Sequence, residues 1–138
     1  QAIAVVRITR SFEILLRGGV DVVPALTIVR DVVGNAAYAT LVDTTIRAVE
    51  DGNPITSVLS KSPLIPPMVA QLLGVGEETG QLRDVLRRVS DFYTREVDAR
   101  VRNLVTVIEP LIMVIMGLAV GVMVAAVIMP MYNLANQV

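Results

Sequence analysis

The chain has 138 residues, 54% of them hydrophobic, with a formal net charge of −1, no histidine and no cysteine. That length supports one domain with its own core, and the charge excludes a global basic field for nucleic acid. The missing residue types exclude Ser-His-Asp and Cys-His catalysis, zinc sites and disulfides within these residues.

So high an apolar content implies that part of the chain meets lipid. Arginine dominates the cations, and Lys61 is the only lysine. Absence of cysteine fits a reducing compartment. The opening "QAIAVVRITR" has no initiator Met and no basic-then-apolar leader, so the chain is read as a processed piece or fragment without a signal peptide.

Apolar spacing is helical nearly throughout. Val5, Ile8, Phe12, Leu15 and Leu16 form the first stripe, with arginines around it, and Gly18-Gly19 ends that helix. Asp21 is the expected N-cap of a second helix, with Pro24 in its first turn. Gly34-Asn35 stops it near Val33. A third helix is expected from Ala36 to Glu50 and is closed by Asp51-Gly52. Asn53-Pro54 is expected to cap and start a short fourth helix, "PITSVLSK". The loop "SPLIPP" follows, and Pro66-Pro67 opens a fifth helix.

The sixth begins after Gly80. Leu82, Val85, Leu86, Val89, Phe92, Tyr93, Val97, Val101 and Leu104 recur at three- and four-residue steps. Asp84–Arg88, Asp91–Arg95, Glu96–Arg100 and Asp98–Arg102 are acid-first pairs spaced for helical support on a solvated face. No breaker lies between Leu82 and Glu109. The helix is therefore expected to run on, with Pro110 only kinking it. No segment alternates with period two, so no sheet is expected.

From Leu111 to Met129 every residue is apolar. At about 1.5 Å per residue these reach roughly 28 Å, close to the hydrocarbon thickness of a bilayer. A transmembrane span is expected, bracketed by Pro110 and Pro130. Arg95, Arg100 and Arg102 precede it, and "MYNLANQV" after it is uncharged. That asymmetry puts the bundle in the cytoplasm and the C-terminus on the far side. The expected layout is a bundle at 1–103, a membrane helix at 104–131 and a short tail at 132–138. The fold class is all-α: an antiparallel cytoplasmic bundle of about six helices, then one C-terminal transmembrane helix.

Two features of the span go beyond apolarity. Gly117 and Gly121 form G-x-x-x-G, a groove where another helix can approach, or simply the small residues common in membrane helices. Glu109 precedes Pro110 at the membrane edge. It reads either as an interhelical contact or as a side chain reaching headgroup water.

The stretch "GVGEETGQL", residues 74–82, raises a sharper question. Its spacing is G-x-G-x-x-x-G with no strand before it and no Gly-Lys-Ser/Thr after it, which excludes a dinucleotide or P-loop site. Glu77 and Glu78 point about 100° apart on a helix, so they make no facing acid/base pair. A metal site built from Glu77, Glu78 and another acidic side chain stays open, although no calcium-loop spacing is present. A helix-to-helix turn remains. Gly80 suits the left-handed position past a helix end, and Gly74 and Gly76 allow close packing. Helical glycines and C-terminal carboxylates are both locally unfavourable. One carboxylate is therefore expected to find a partner: the N–H groups opening the next helix, an arginine nearby, or another chain.

The ordered set "GEETG", "FY" with "EVD", "IEP", a glycine-spaced span and "PMY" resembles the C-terminal repeat of the inner-membrane platform proteins of type IV pilus assembly and type II secretion, the GspF/PilC family. "LLRGGVDVVPAL" resembles the first two helices of that repeat. Gly76-Glu77-Glu78-Thr79-Gly80 fits the family's "GE-x-[ST]-G". The resemblance implies two related cytoplasmic bundles and usually three membrane helices, of which this chain would hold the second bundle and last span. It implies no enzymatic activity, no catalytic residue and no cofactor. Some members are said to bind a divalent cation through bundle carboxylates, and no residue of this chain is assigned that role. The implied partners are a hexameric motor ATPase, other platform subunits in a homo-oligomer, and pilin transmembrane stems. The implied location is the bacterial inner membrane. Gly76, Glu77, Gly80, Glu109, Pro110, Gly117, Gly121 and Pro130 are the candidate structural or partner-contact residues. Other readings are a platform subunit of an archaeal-type flagellum or tight-adherence pilus, and a membrane transporter or enzyme subunit. A lone edge glutamate makes a poor transport path.

Overall fold

The computed structural model describes residues 1–137 and is all-α: α1 (Ala2–Arg17), α2 (Val22–Val32), α3 (Ala36–Glu50), α4 (Thr56–Leu59), α5 (Pro67–Glu78) and α6 (Leu82–Ala135). No strand occurs among the described residues. The chain divides into two compact units with the boundary between Val97 and Asp98, and α6 contributes to both. Val138, the last residue of the expected tail, lies outside the described residues.

Local chemistry sets most boundaries. Asn35 does more than end α2. Its side-chain oxygen accepts from the Ala37 and Tyr38 N–H groups at 3.0 and 3.4 Å, capping α3. Pro66 and Pro67 open α5, where a missing N–H leaves no bond unmade. Asp21 occupies the N-cap position of α2, but its side chain makes no cap bond. The start of α4 also departs from expectation. Its N-cap is Ile55 rather than Asn53, and no local side chain caps it.

In the first unit α1 packs on α2, α2 on α3, α3 on α4 and α4 on α5. Each helix except α4, which only packs against it, contributes one buried stripe to a single core. Val5 and Phe12 come from α1, Leu26 and Val29 from α2, and Tyr38, Val42 and Ile46 from α3. Val69 and Leu73 come from α5, and Leu86, Val89 and Tyr93 from α6. The Tyr38 hydroxyl donates to the Leu64 carbonyl at 3.1 Å, so the ring is buried with its polar end satisfied. Burial pushes the Tyr38 phenol above its ordinary range. Burial, then the Glu96 charge, does the same for Tyr93.

The expected α6 stripe is buried only in part. Leu86, Val89 and Tyr93 are inside, whereas Phe92, Val101 and Leu104 are 53%, 54% and 66% exposed. Neighbours on a helix diverge by about 100°, so Phe92 and Tyr93 cannot both face one core. Their rings meet edge to face at 5.3 Å.

In the second unit, every described residue from Asp98 onward is exposed. The helix passes through Pro110 and Pro130 without a break in its assignment. One helix of the described structure is long and apolar enough to cross a membrane, and it is α6. The sixth helix and the apolar segment are thus one element.

Candidate functional site

The turn between α5 and α6 is assembled from three residues with separate tasks. Gly80 has φ +69°, a left-handed conformation that side chains with a Cβ adopt at a cost. The Gln81 N–H reaches back to the Gly76 carbonyl at 2.8 Å, closing the end of α5 with a six-to-one bond. Gly76 is buried, and a Cβ there would lie 2.8 Å from Val85 Cγ2 and 3.1 Å from Val85 Cβ. α6 crosses so close to α5 that only hydrogen fits.

Glu77 has found a partner within its own bundle, and not the expected one. Its carboxylate turns back to the start of α4 instead of forward to α6. Oε1 accepts from the Ile55 N–H at 2.7 Å, while Oε2 accepts from the Thr56 N–H at 3.4 Å and from the Thr56 hydroxyl at 3.2 Å. The first N–H groups of a helix have no partner within it. Here a carboxylate 21 to 22 residues along the chain supplies one, which accounts for the absence of a local cap on α4. The positive end of α4 also favours the negative charge. Gly74 lies three residues before Glu77, and a Cβ there would meet Thr56 Cγ2 at an ordinary 3.5 Å.

Both Glu77 oxygens are therefore occupied by donors, and Glu78 beside it is exposed. The two carboxylates do not converge. Among the described residues no group of three or more Asp and Glu side chains gathers at metal-binding distance.

The remaining candidates belong to the second unit. Glu109, Pro110, Gly117, Gly121 and Pro130 all lie on α6 and are exposed. A Cβ at Gly117 or Gly121 would meet nothing within 4 Å. Glu109 has apolar neighbours on both sides, with Val107 68% and Leu111 58% exposed. The structure thus joins Gly76, Glu77 and Gly80 in one packed junction, and it leaves the α6 candidates as an open helical surface.

Sequence reasoning missed the receiving end of the Glu77 contact. Ile55 and Thr56 carry no motif. The sequence pointed elsewhere, because Asn53 before Pro54 offers a local cap that the structure does not use.

Residues 8–130 match the family described as type II secretion system (T2SS), protein F. The chain is similar to the type IV pilus assembly protein PilC of Thermus thermophilus, 38% identical over 132 residues, or 95% of this chain and 32% of that protein. It is 32% identical to PilC of Myxococcus xanthus over 136 residues, 99% of this chain and 33% of that one. It is 29% identical to the type II secretion system protein F of Xanthomonas campestris over 132 residues, covering 96% and 33% respectively. The chain spans about a third of the length of these curated relatives.

Proposed function

Because the chain belongs to the type II secretion system protein F family, we propose that it is part of a membrane platform. That platform would couple a cytoplasmic motor ATPase to pilin assembly, retraction or secretion, with no chemistry of its own. One observation carries the reading. The family match over residues 8–130 includes both the packed bundle and the apolar stretch of α6. A bundle joined to a helix of membrane-crossing length suits a scaffold more than a soluble effector.

In this reading α6 crosses the inner membrane between about Leu111 and Met129. The arginines before the apolar run and the uncharged tail after it support a cytoplasmic bundle and a periplasmic C-terminus. The open surface around Gly117 and Gly121 serves as the helix-docking face. Its occupants would be further platform helices or pilin stems. The bundle meets the ATPase and neighbouring platform subunits. Glu77 contributes by fixing the bundle, since its charge is already engaged with α4.

Crosslinking in the intact membrane complex tests the reading. A photo-reactive residue at Arg87 or Arg95 is expected to capture the motor ATPase or another platform subunit. Complete absence of both adducts, with the protein present at normal level, would remove the platform assignment.

A further inference from the structure

The seam between α1 and the first turns of α6 lies wholly within the first unit and holds two adjoining hollows of about 340 and 250 Å³. The first is lined by Arg17 together with Arg83, and the second by Arg10 together with Ser90; Glu13, Arg17 and Arg87 line both. At the centre Glu13 is only 7% exposed, and its carboxylate is held by Arg17. That pair neutralises itself. Among the described residues, Arg10, Arg83 and Arg87 make no hydrogen bond or ion pair. Three guanidiniums therefore border one groove with their donors uncommitted.

A second observation is independent of the charges. Ser90 is 5% exposed, lines the groove, and its hydroxyl has no hydrogen-bond partner among the described residues. It is also absent from the atoms sealed away from solvent. A hydroxyl that is almost covered, unpartnered and still reachable is a donor in place for something that enters the groove. Asp84 and Asp91 line the groove too, one on each side of Arg87 in sequence, and neither closes the ion pair its spacing offers with Arg88 or Arg95. They repel anions at their own positions. A diffuse polyanion is thus disfavoured, while a discrete carboxylate at Arg87 and Ser90 is accepted.

We propose that the α1–α6 seam is a docking groove for an acidic protein segment whose carboxylates engage the Arg10–Arg87–Ser90 end and the Arg83 end together. Arg83 and Arg87 are four residues apart on α6, which sets the carboxylate spacing at about 6 Å. A helix with glutamates four residues apart meets that spacing. The groove borders the α5–α6 turn at Gly80 and Gln81 but includes neither Glu77 nor the apolar run of α6.

The test uses the full chain in neutral-lipid nanodiscs and a fluorescein-labelled helical peptide with two glutamates four residues apart. Saturable anisotropy is expected, absent for the peptide with glutamines instead. Arg87→Glu is expected to weaken binding at least tenfold, as loss of a charge-assisted contact would. Ser90→Ala is expected to weaken it about threefold, as loss of a neutral hydrogen bond would. Arg47→Glu on α3 should leave it unchanged. If Arg87→Glu fails to fold by circular dichroism, Arg87→Gln replaces it, with weakening in the same direction. No saturation, equal binding of the glutamine peptide, unchanged binding by the Arg87 variants, or displacement by equimolar inorganic phosphate or anionic lipid would each overturn the proposal.

Discussion

Glu77 Oε1 accepts a hydrogen bond from the Ile55 N–H at 2.7 Å, so a carboxylate at the end of α5 caps the start of α4. The contact ties the turn leading into α6 to the middle of the bundle. A charged acceptor on otherwise unpaired helix N–H groups is among the stronger polar interactions a half-buried site offers. Glu77→Ala is expected to lower unfolding stability by about 1–3 kcal/mol. Glu78→Ala, at an exposed position, should stay within about 0.5 kcal/mol. Urea unfolding of both variants measures the difference. Equal midpoints would show that the cap contributes nothing.

Gly76 and Gly74 make opposite predictions from neighbouring positions. Gly76→Ala forces a methyl to 2.8 Å from Val85 Cγ2 and should destabilise by about 1–3 kcal/mol. Adding Val85→Ala should recover part of that loss. Gly74→Ala puts its methyl at 3.5 Å from Thr56 Cγ2, an ordinary contact distance. It is expected to be neutral or to stabilise by up to about 1 kcal/mol through helix propensity. Thermal unfolding of the three variants separates the cases.

Much of this junction could be read from residues 74–82 alone, because its local parts are local in sequence. Gly80 announces a left-handed turn, and Gly76 announces a close approach whatever crosses it. The destination of Glu77 is not local. No rule of spacing connects it to Ile55 and Thr56, which are brought there by α3, α4 and α5 packing in succession. Phe92 failed for a related reason, since a three- and four-residue repeat admits both Phe92 and Tyr93 while a core takes one. Asp21 shows the limit of cap chemistry, for the residue is right and the bond is not made. The acid-first pairs Asp84–Arg88 and Asp91–Arg95 show the same limit, because exposed pairs gain too little to hold two long side chains together. The apolar stretch of α6 was the most legible element, since nineteen uninterrupted apolar residues leave few alternatives to a bilayer-length helix.

The two buried tyrosines predict an alkaline limit. Both phenols have folded-state pKa values raised above the unfolded value of about 10. A group raised in this way contributes stability below its unfolded pKa and loses it as pH rises through the folded one. Urea midpoints should therefore be flat across neutral pH and fall above about pH 10. Tyr38→Phe should soften the fall, and it should also lower stability at neutral pH by about 0.5–1.5 kcal/mol through loss of the bond to the Leu64 carbonyl. An alkaline slope unchanged by Tyr38→Phe combined with Tyr93→Phe would assign it elsewhere.

The apolar surface of α6 predicts sensitivity to charge in its middle. Val120→Arg places a cation near the centre of the proposed span, at a cost of about 2.5–3.5 kcal/mol on insertion scales. It should shift the protein from the carbonate-resistant membrane fraction to the extractable one. Val101→Arg, before the apolar run, should not. Identical fractionation of the two variants would place the membrane contact outside the Leu111–Met129 run.

The platform reading rests on the bundle and the C-terminal tail facing opposite sides of the membrane. Because the chain has no cysteine, single-cysteine variants report cleanly. Ser57→Cys in the bundle and Asn136→Cys in the tail are treated with a membrane-impermeant maleimide in spheroplasts, before and after lysis. The account predicts labelling at Asn136→Cys before lysis and at Ser57→Cys only after it. Labelling of both before lysis, or the reverse order, would contradict a cytoplasmic bundle held at the inner membrane by α6.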